Sequence, residues 1–218
     1  MTVRPVEGLI DELVAEAKPV APLASPGRRA LLWLAAIGAL AGLAIYFFSD
    51  FDQLLLRYSG REMVLAFEIT AMLATGVLAN LGAFASSIPG ASKRWLAAPL
   101  PSFALWLILS GIGCYNLAKT GSAEVEFGES AECLLFIVAA SAALCVPLIW
   151  RLSRARPIDP LPVAALGGLG IAALSALILM FFHPFTVTFL DLAVHLLAIM
   201  IVIAAMTLVG RRTLAGAA

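Results

Sequence analysis

The stretch LPVAALGGLGIAALSALILMFF, residues 161–182, runs for 22 residues without a charged side chain. An α-helix rises about 1.5 Å per residue, so this stretch is long enough to cross a hydrocarbon layer about 30 Å thick. Five other apolar runs of comparable length occur along the chain, at about 30–48, 63–86, 95–117, 133–151 and 188–210. We therefore predict an all-α membrane protein with six transmembrane helices.

The composition supports this class and excludes an ordinary soluble domain. Of the 218 residues, 62% are hydrophobic and only 13% are charged, and the mean hydropathy is +1.00. Soluble domains carry about 25% charged residues. The net charge is zero, so it gives no indication of nucleic-acid binding. We expect the lipid bilayer as one partner and no direct contact with nucleic acid.

Lysine and arginine are unevenly distributed between alternating loops. Cytoplasmic loops of membrane proteins carry the excess of these residues, so their distribution predicts orientation. One side of the predicted bundle carries nine of them and the other side carries three, together with most of the loop acids. The two sets are Arg28, Arg29, Lys93, Arg94, Arg151, Arg154, Arg156, Arg211 and Arg212 on the first side, and Arg57, Arg61 and Lys119 on the second. This predicts that both termini are cytoplasmic and that the acidic loops face outward.

The segment before the first apolar run, residues 1–29, has a different pattern. Its sequence VEGLIDELVAEA at 6–17 repeats apolar residues at the 3.6-residue period, which predicts a short amphipathic helix. The expected apolar face comprises Val6, Leu9, Ile10, Leu13, Val14 and Ala17, and acids on the other faces include Asp11, Glu12 and Glu16. A helix of about three turns is marginal alone in water, so its apolar face needs a surface to bind.

This pattern divides the chain into three parts. Residues 1–29 form a cytoplasmic helix and a proline-rich linker, 30–210 form the transmembrane domain, and 211–218 form a cytoplasmic tail. The acidic polar face of the N-terminal helix argues against an anionic membrane surface, where basic residues are expected. A soluble partner protein is therefore the expected occupant of its apolar face.

No enzyme motif is present: there is no phosphate-binding loop, HExxH, GxSxG or dinucleotide fingerprint, and we predict a protein that is not an enzyme. Polar residues within apolar spans are expensive and are functional candidates by default. Six of them fall in the outer half of the predicted membrane domain, namely Glu68, Cys114, Cys133, His183, Asp191 and His195. This cluster is a candidate site for a divalent metal ion acting as a transient signal. The alternatives are a disulfide between the two cysteines and, for Asp191 with His195, a structural hydrogen-bonded pair.

Three stretches of the sequence resemble the NrsF family of bacterial membrane anti-sigma factors, in order and with matching spacing. They are LIDELVAEAKPV at 9–20 with the following SPGRR, SIPGASKRWLAAPLPSFALWLILSGIGC at 87–114, and GESAECLLFIVAASAALCVPLIWRLSRARPIDP at 128–160. The resemblance implies an inner-membrane protein that holds an extracytoplasmic-function sigma factor and releases it under stress. The N-terminal amphipathic helix would then bind the sigma factor.

The resemblance also implies sensing by two outer-face cysteines, and this chain departs from that pattern. The first matches Cys133, but the second belongs to a His-Cys-Pro step that here reads Phe182-His183-Pro184. The second cysteine is absent and His183 is its nearest substitute, so a disulfide between those two positions is impossible here. The inducing signal, metal or redox, can therefore differ from that of the family. The alternative function is a small transporter or channel subunit that uses Glu68, Asp191 and His195 as a relay.

Overall fold

The computed structural model of the chain describes residues 6–17, 22–52, 56, 59, 62–120, 127–182 and 188–214. Regular structure in these residues is helical, and they contain no strand. In chain order the helices are α1 (Val6–Glu16), α2 (Pro26–Phe48), α3 (Glu62–Ser86), α4 (Arg94–Ala97), α5 (Leu100–Thr120), α6 (Phe127–Ser153), α7 (Pro160–Phe182) and α8 (Phe189–Thr213).

The predicted fold class is confirmed. Six segments are long and apolar enough to cross a membrane, and they coincide with the six predicted runs. The short α1 precedes them, as the periodicity of the N-terminal segment predicts. The third span differs in detail, because α4 ends at Ala97 and α5 begins at Leu100. Pro99 and Pro101 lie at this break, where their missing N–H groups disrupt a continuous helix.

The central helix of the bundle is α7. In its most apolar window 83% of the residues are buried, against 33% or less in the other spans. It packs against α3, α6 and α8, and also contacts α2. No charged side chain occurs in α7, so all of its faces can be buried without leaving a charge unpaired. The 161–182 stretch therefore forms the core around which the other spans are arranged.

Glycines allow α7 to approach its neighbours closely. A Cβ atom added to Gly168 would lie 3.0 Å from the Cα of Ile203 on α8 and 3.2 Å from Cβ of Met206. Gly38 and Gly42 on α2 have the same four-residue spacing as Gly168 and Ala172, but an added Cβ at either α2 position meets nothing within 4 Å. Gly168 and Ala172 therefore lie on a packing face within the bundle, and Gly38 and Gly42 face outward.

Side-chain hydrogen bonds connect the helices inside the bundle. Trp33 Nε1 on α2 donates to Asn80 Oδ1 on α3 at 3.1 Å, and Asn80 Nδ2 donates to the carbonyl of Gly76 at 2.8 Å. Ser141 on α6 donates to Ser175 on α7 at 3.2 Å. These groups are buried, and a polar group in an apolar interior is costly unless it is paired. The bonds therefore fix which faces of the spans meet.

Candidate functional site

The apolar face of α1 is exposed. Ile10, Leu13 and Val14 are 52%, 59% and 68% exposed, although they repeat at the spacing of a buried helix face. Asp11, Glu12, Glu16 and Ala17 are also exposed. The helix begins at Val6, and the side chains of Val6 and Leu9 lie outside the described residues. The described part of α1 is thus an amphipathic helix whose apolar side chains are not packed into the bundle.

At the start of α8, Thr188 and Asp191 together cap the helix. Thr188 is the N-cap residue: its main-chain N–H donates to Asp191 Oδ2 at 2.9 Å, while its hydroxyl accepts from the Asp191 N–H at 3.3 Å. The same hydroxyl is 2.8 Å from Oδ2. This reciprocal arrangement is a capping box, which satisfies donors that the first helical turn leaves without partners. A carboxylate at this position also interacts favourably with the helix dipole.

The carboxylate of Asp191 also connects two helices. Ser130 on α6 donates to Asp191 Oδ1 at 2.6 Å, and both residues are buried. Asp191 therefore ties the first turn of α8 to the beginning of α6. We call the group Ser130, Thr188 and Asp191 the capping cluster. It lies at the opposite end of the bundle from Arg29 and Arg151, since α8 and α6 begin there.

His195 lies one turn further along α8 and meets Asp191 through the main chain. Its Nδ1 is 2.6 Å from the carbonyl oxygen of Asp191. A carbonyl can only accept, so Nδ1 carries a proton, and in the neutral ring Nε2 keeps the lone pair that a metal or a donor would use. His195 thus bonds to the Asp191 main-chain carbonyl, while the Asp191 carboxylate bonds to Thr188 and Ser130. The predicted pairing of the two side chains stays a prediction. His195 is also buried.

The remaining candidates occupy different helices. Cys133 on α6 and Cys114 on α5 are both 2% exposed, and Glu68 on α3 is half-buried. No disulfide bond joins the cysteines. Cys133 follows Ser130 by three residues, so it lies on the same side of α6 as the capping cluster. Both cysteines are therefore within the bundle and not on its surface.

Five of the six candidate metal ligands lie among the described residues, and His183 does not. Among the described residues, no group of three or more His, Cys, Asp or Glu side chains is placed to hold a metal ion. His183 lies outside the described residues, as does the rest of the segment 183–187. The described candidates therefore do not form a complete ligand set by themselves.

The sequence reasoning missed the capping cluster, although one signal for it was present. The chain reads Thr188-Phe189-Leu190-Asp191, which is a Thr-x-x-acid capping box directly before an apolar run. Ser130 carried no such signal, because a serine in an apolar span has no fixed partner in sequence. Asn80 was missed for the same reason.

The chain matches the NrsF family model, described as negative regulator of sigma F, over residues 13–215. The match includes all six spans and the last four residues of α1, 13–16. Comparison with curated proteins and with solved structures finds no match.

Proposed function

Because the chain belongs to the NrsF family of negative regulators of sigma F, we propose that it is an inner-membrane anti-sigma factor that holds an extracytoplasmic-function sigma factor through α1. Family membership makes it a negative regulator of a sigma factor, and six apolar spans make it a multi-pass membrane protein. The proposal adds the type of sigma factor, the inner membrane, the cytoplasmic termini and the role of α1.

The observation that carries the proposal is the exposed apolar face of α1. Ile10, Leu13 and Val14 are each more than half exposed on a helix that is separate from the membrane spans. An amphipathic helix of this kind binds by laying its apolar face in a groove of a partner. Burying one leucine or valine side chain contributes about 1.5–3 kcal/mol, so two or three anchors suffice for moderate affinity.

The linker limits where the sigma factor is held. Nine residues, 17–25, separate the end of α1 from the start of α2. A chain extends at most about 3.6 Å per residue, so α1 stays within about 30 Å of the first span. A sigma factor bound to α1 is thereby confined to the membrane surface and kept from promoters. The excess of lysine and arginine on this side of the bundle supports a cytoplasmic location for this surface.

The acidic residues of α1 contribute mainly to the rate and selectivity of capture. Asp11, Glu12 and Glu16 are exposed, and they complement the basic surface that a sigma factor presents to DNA. Charges at the rim of an interface change the association rate and its salt dependence more than the affinity. Capture is therefore expected to slow as the salt concentration rises.

Release would begin at the opposite end of the bundle. Cys133 lies one helical turn from Ser130, whose hydroxyl holds α8 through Asp191. A metal ion or an oxidant that acts on Cys133 would disturb this contact between α6 and α8, and the signal would pass along the spans to α1. The residues proposed for sensing remain Cys133, Cys114, His183, Glu68, Asp191 and His195.

The test is capture of purified extracytoplasmic-function sigma factors by the full-length protein in detergent. Leu13→Asp places a charge in the proposed apolar face, and it is expected to weaken capture at least about 30-fold, since about 2 kcal/mol of burial is lost. Ala15→Asp adds the same charge to the opposite, exposed face of α1 and is the matched control. Equal capture by the two variants would show that the helix does not bind through this face.

A further inference from the structure

Three arginines gather where α2 begins and α6 ends. Arg29 Nη2 donates to the main-chain carbonyl of Arg151 at 2.6 Å, so the two helices meet here. The guanidinium groups of Arg151 and Arg154 are close enough to repel that of Arg29. Among the described residues, the two charged groups that act on Arg29 are thus positive, and bringing them together costs free energy unless an anion is present.

The guanidinium of Arg29 is held in place, but one of its N–H groups lacks a hydrogen-bond partner among the described residues. It lies over the ring of Phe84 on α3, 5.2 Å from the centroid, and the residue is half-buried. Its Nη1 atom is buried and has no hydrogen-bond partner within the described part of the chain. A buried donor without a partner is costly, and a charged one more so. One donor of Arg29 therefore has no acceptor among the described residues and is available to an added anion.

Aromatic rings hold the other two cations at the same end. Arg151 lies over the ring of Trp33 at 5.6 Å, and Arg154 lies over the ring of Trp150 at 3.9 Å. Tryptophan is enriched at the level of lipid head groups, and both rings stand near the ends of membrane-spanning helices. The three guanidinium groups are therefore at the depth where lipid phosphates lie.

We propose that Arg29, Arg151 and Arg154 form a site for the phosphate of an anionic phospholipid. Guanidinium groups match phosphate oxygens with paired N–H donors, and the anion would remove the repulsion among the three cations. A lipid is favoured over a protein segment because its phosphate is already present at this depth. The bound lipid would also hold α2 against α6, and α2 is the helix to which the α1 linker is joined.

The proposal can be tested with the purified full-length protein in detergent. The melting temperature and the lipids retained in native mass spectrometry are measured with added phosphatidylglycerol, with phosphatidylcholine and with inorganic phosphate. Phosphatidylglycerol is expected to raise the melting temperature and to remain bound, and the other two are not. An equal effect of phosphatidylcholine would overturn the proposal, and an equal effect of inorganic phosphate would replace the lipid with a free anion.

Matched double variants separate a site from general charge attraction. Arg151→Gln with Arg154→Gln keeps the main-chain carbonyl that Arg29 binds, and it is expected to weaken phosphatidylglycerol binding about 30-fold. Arg211→Gln with Arg212→Gln removes the same charge from exposed residues at the end of α8 and should leave binding unchanged. Each variant is compared with its own lipid-free melting temperature, so a change in basal stability does not obscure the result. Equal losses in the two variants would refute a built site.

Discussion

The hydrogen bond between Ser130 and Asp191 provides a quantitative test of the fold. Ser130→Ala removes the donor, and Asp191→Asn keeps the shape of the side chain while replacing one acceptor oxygen with a donor group. The bond is short, 2.6 Å, and both partners are buried. Asp191 also accepts from Thr188, so its replacement leaves more than one buried donor without a partner.

The expected magnitudes follow from these contacts. Hydrogen bonds between transmembrane helices contribute about 0.6 kcal/mol on average and up to about 1.7 kcal/mol. A short bond to a carboxyl group belongs near the upper end, so Ser130→Ala should lower the free energy of unfolding by about 1–2 kcal/mol. Asp191→Asn should cost about 2–3 kcal/mol, because the cap of α8 is weakened as well. The double variant should lose about 1 kcal/mol less than the sum of the single variants.

The assay is unfolding of the purified protein in mixed micelles of increasing denaturing detergent, followed by circular dichroism. Ser141→Ala supplies the control, because Ser141 bonds to Ser175 and lies 11 residues, or about 16 Å, further along α6. Its effect should add to that of Asp191→Asn within about 0.5 kcal/mol. If the effects of Ser130→Ala and Asp191→Asn on the free energy of unfolding also added within about 0.5 kcal/mol, the hydrogen bond would not couple α6 to α8.

Three further predictions concern other parts of the bundle. Gly168→Leu should destabilise the protein by about 1–3 kcal/mol or prevent folding, because the new side chain meets the backbone of α8. Gly38→Leu points into open space and should change the free energy of unfolding by less than about 0.5 kcal/mol, as measured by the same detergent unfolding. Asn80→Leu should cost about 1–3 kcal/mol by leaving the Trp33 N–H without its acceptor, and a second change, Trp33→Phe, should add less than it costs alone in the same assay. Cys133→Ser should abolish induction of a sigma-dependent reporter by divalent metals or oxidants while repression without the inducer persists; unchanged induction would remove Cys133 from the sensing mechanism.

Most of the fold could be predicted from the sequence because its signals are local. The length and hydropathy of a run such as 161–182 decide that it spans a membrane, since a bilayer accepts only backbone that satisfies its own hydrogen bonds. The amphipathic period of residues 6–17 likewise predicts α1 without knowledge of any neighbour. The family resemblance was carried by ordered motifs, and the match over residues 13–215 confirms it.

The candidate site was less predictable because the partners of its residues depend on which helices meet. Asp191 was singled out as an ionisable group in an apolar span, but its donors come from Thr188 and from Ser130, which is 61 residues away. The periodicity of α8 indicates which residues share a face and not what that face contacts. The proposed sensing residues therefore remain predictions, and His183 lies outside the described residues.

The sequence by itself determined the class of the protein, the number of spans, the helix before them and the family. Only the tertiary structure decided which small residues pack, which polar residues pair and which cations gather. Gly38 with Gly42 and Gly168 with Ala172 have identical spacing, yet an added side chain would meet α8 at Gly168 and nothing within 4 Å at Gly38 or Gly42. The physical reason is that transfer into lipid depends on each segment's own composition, whereas packing depends on the distance between atoms that are remote in the chain.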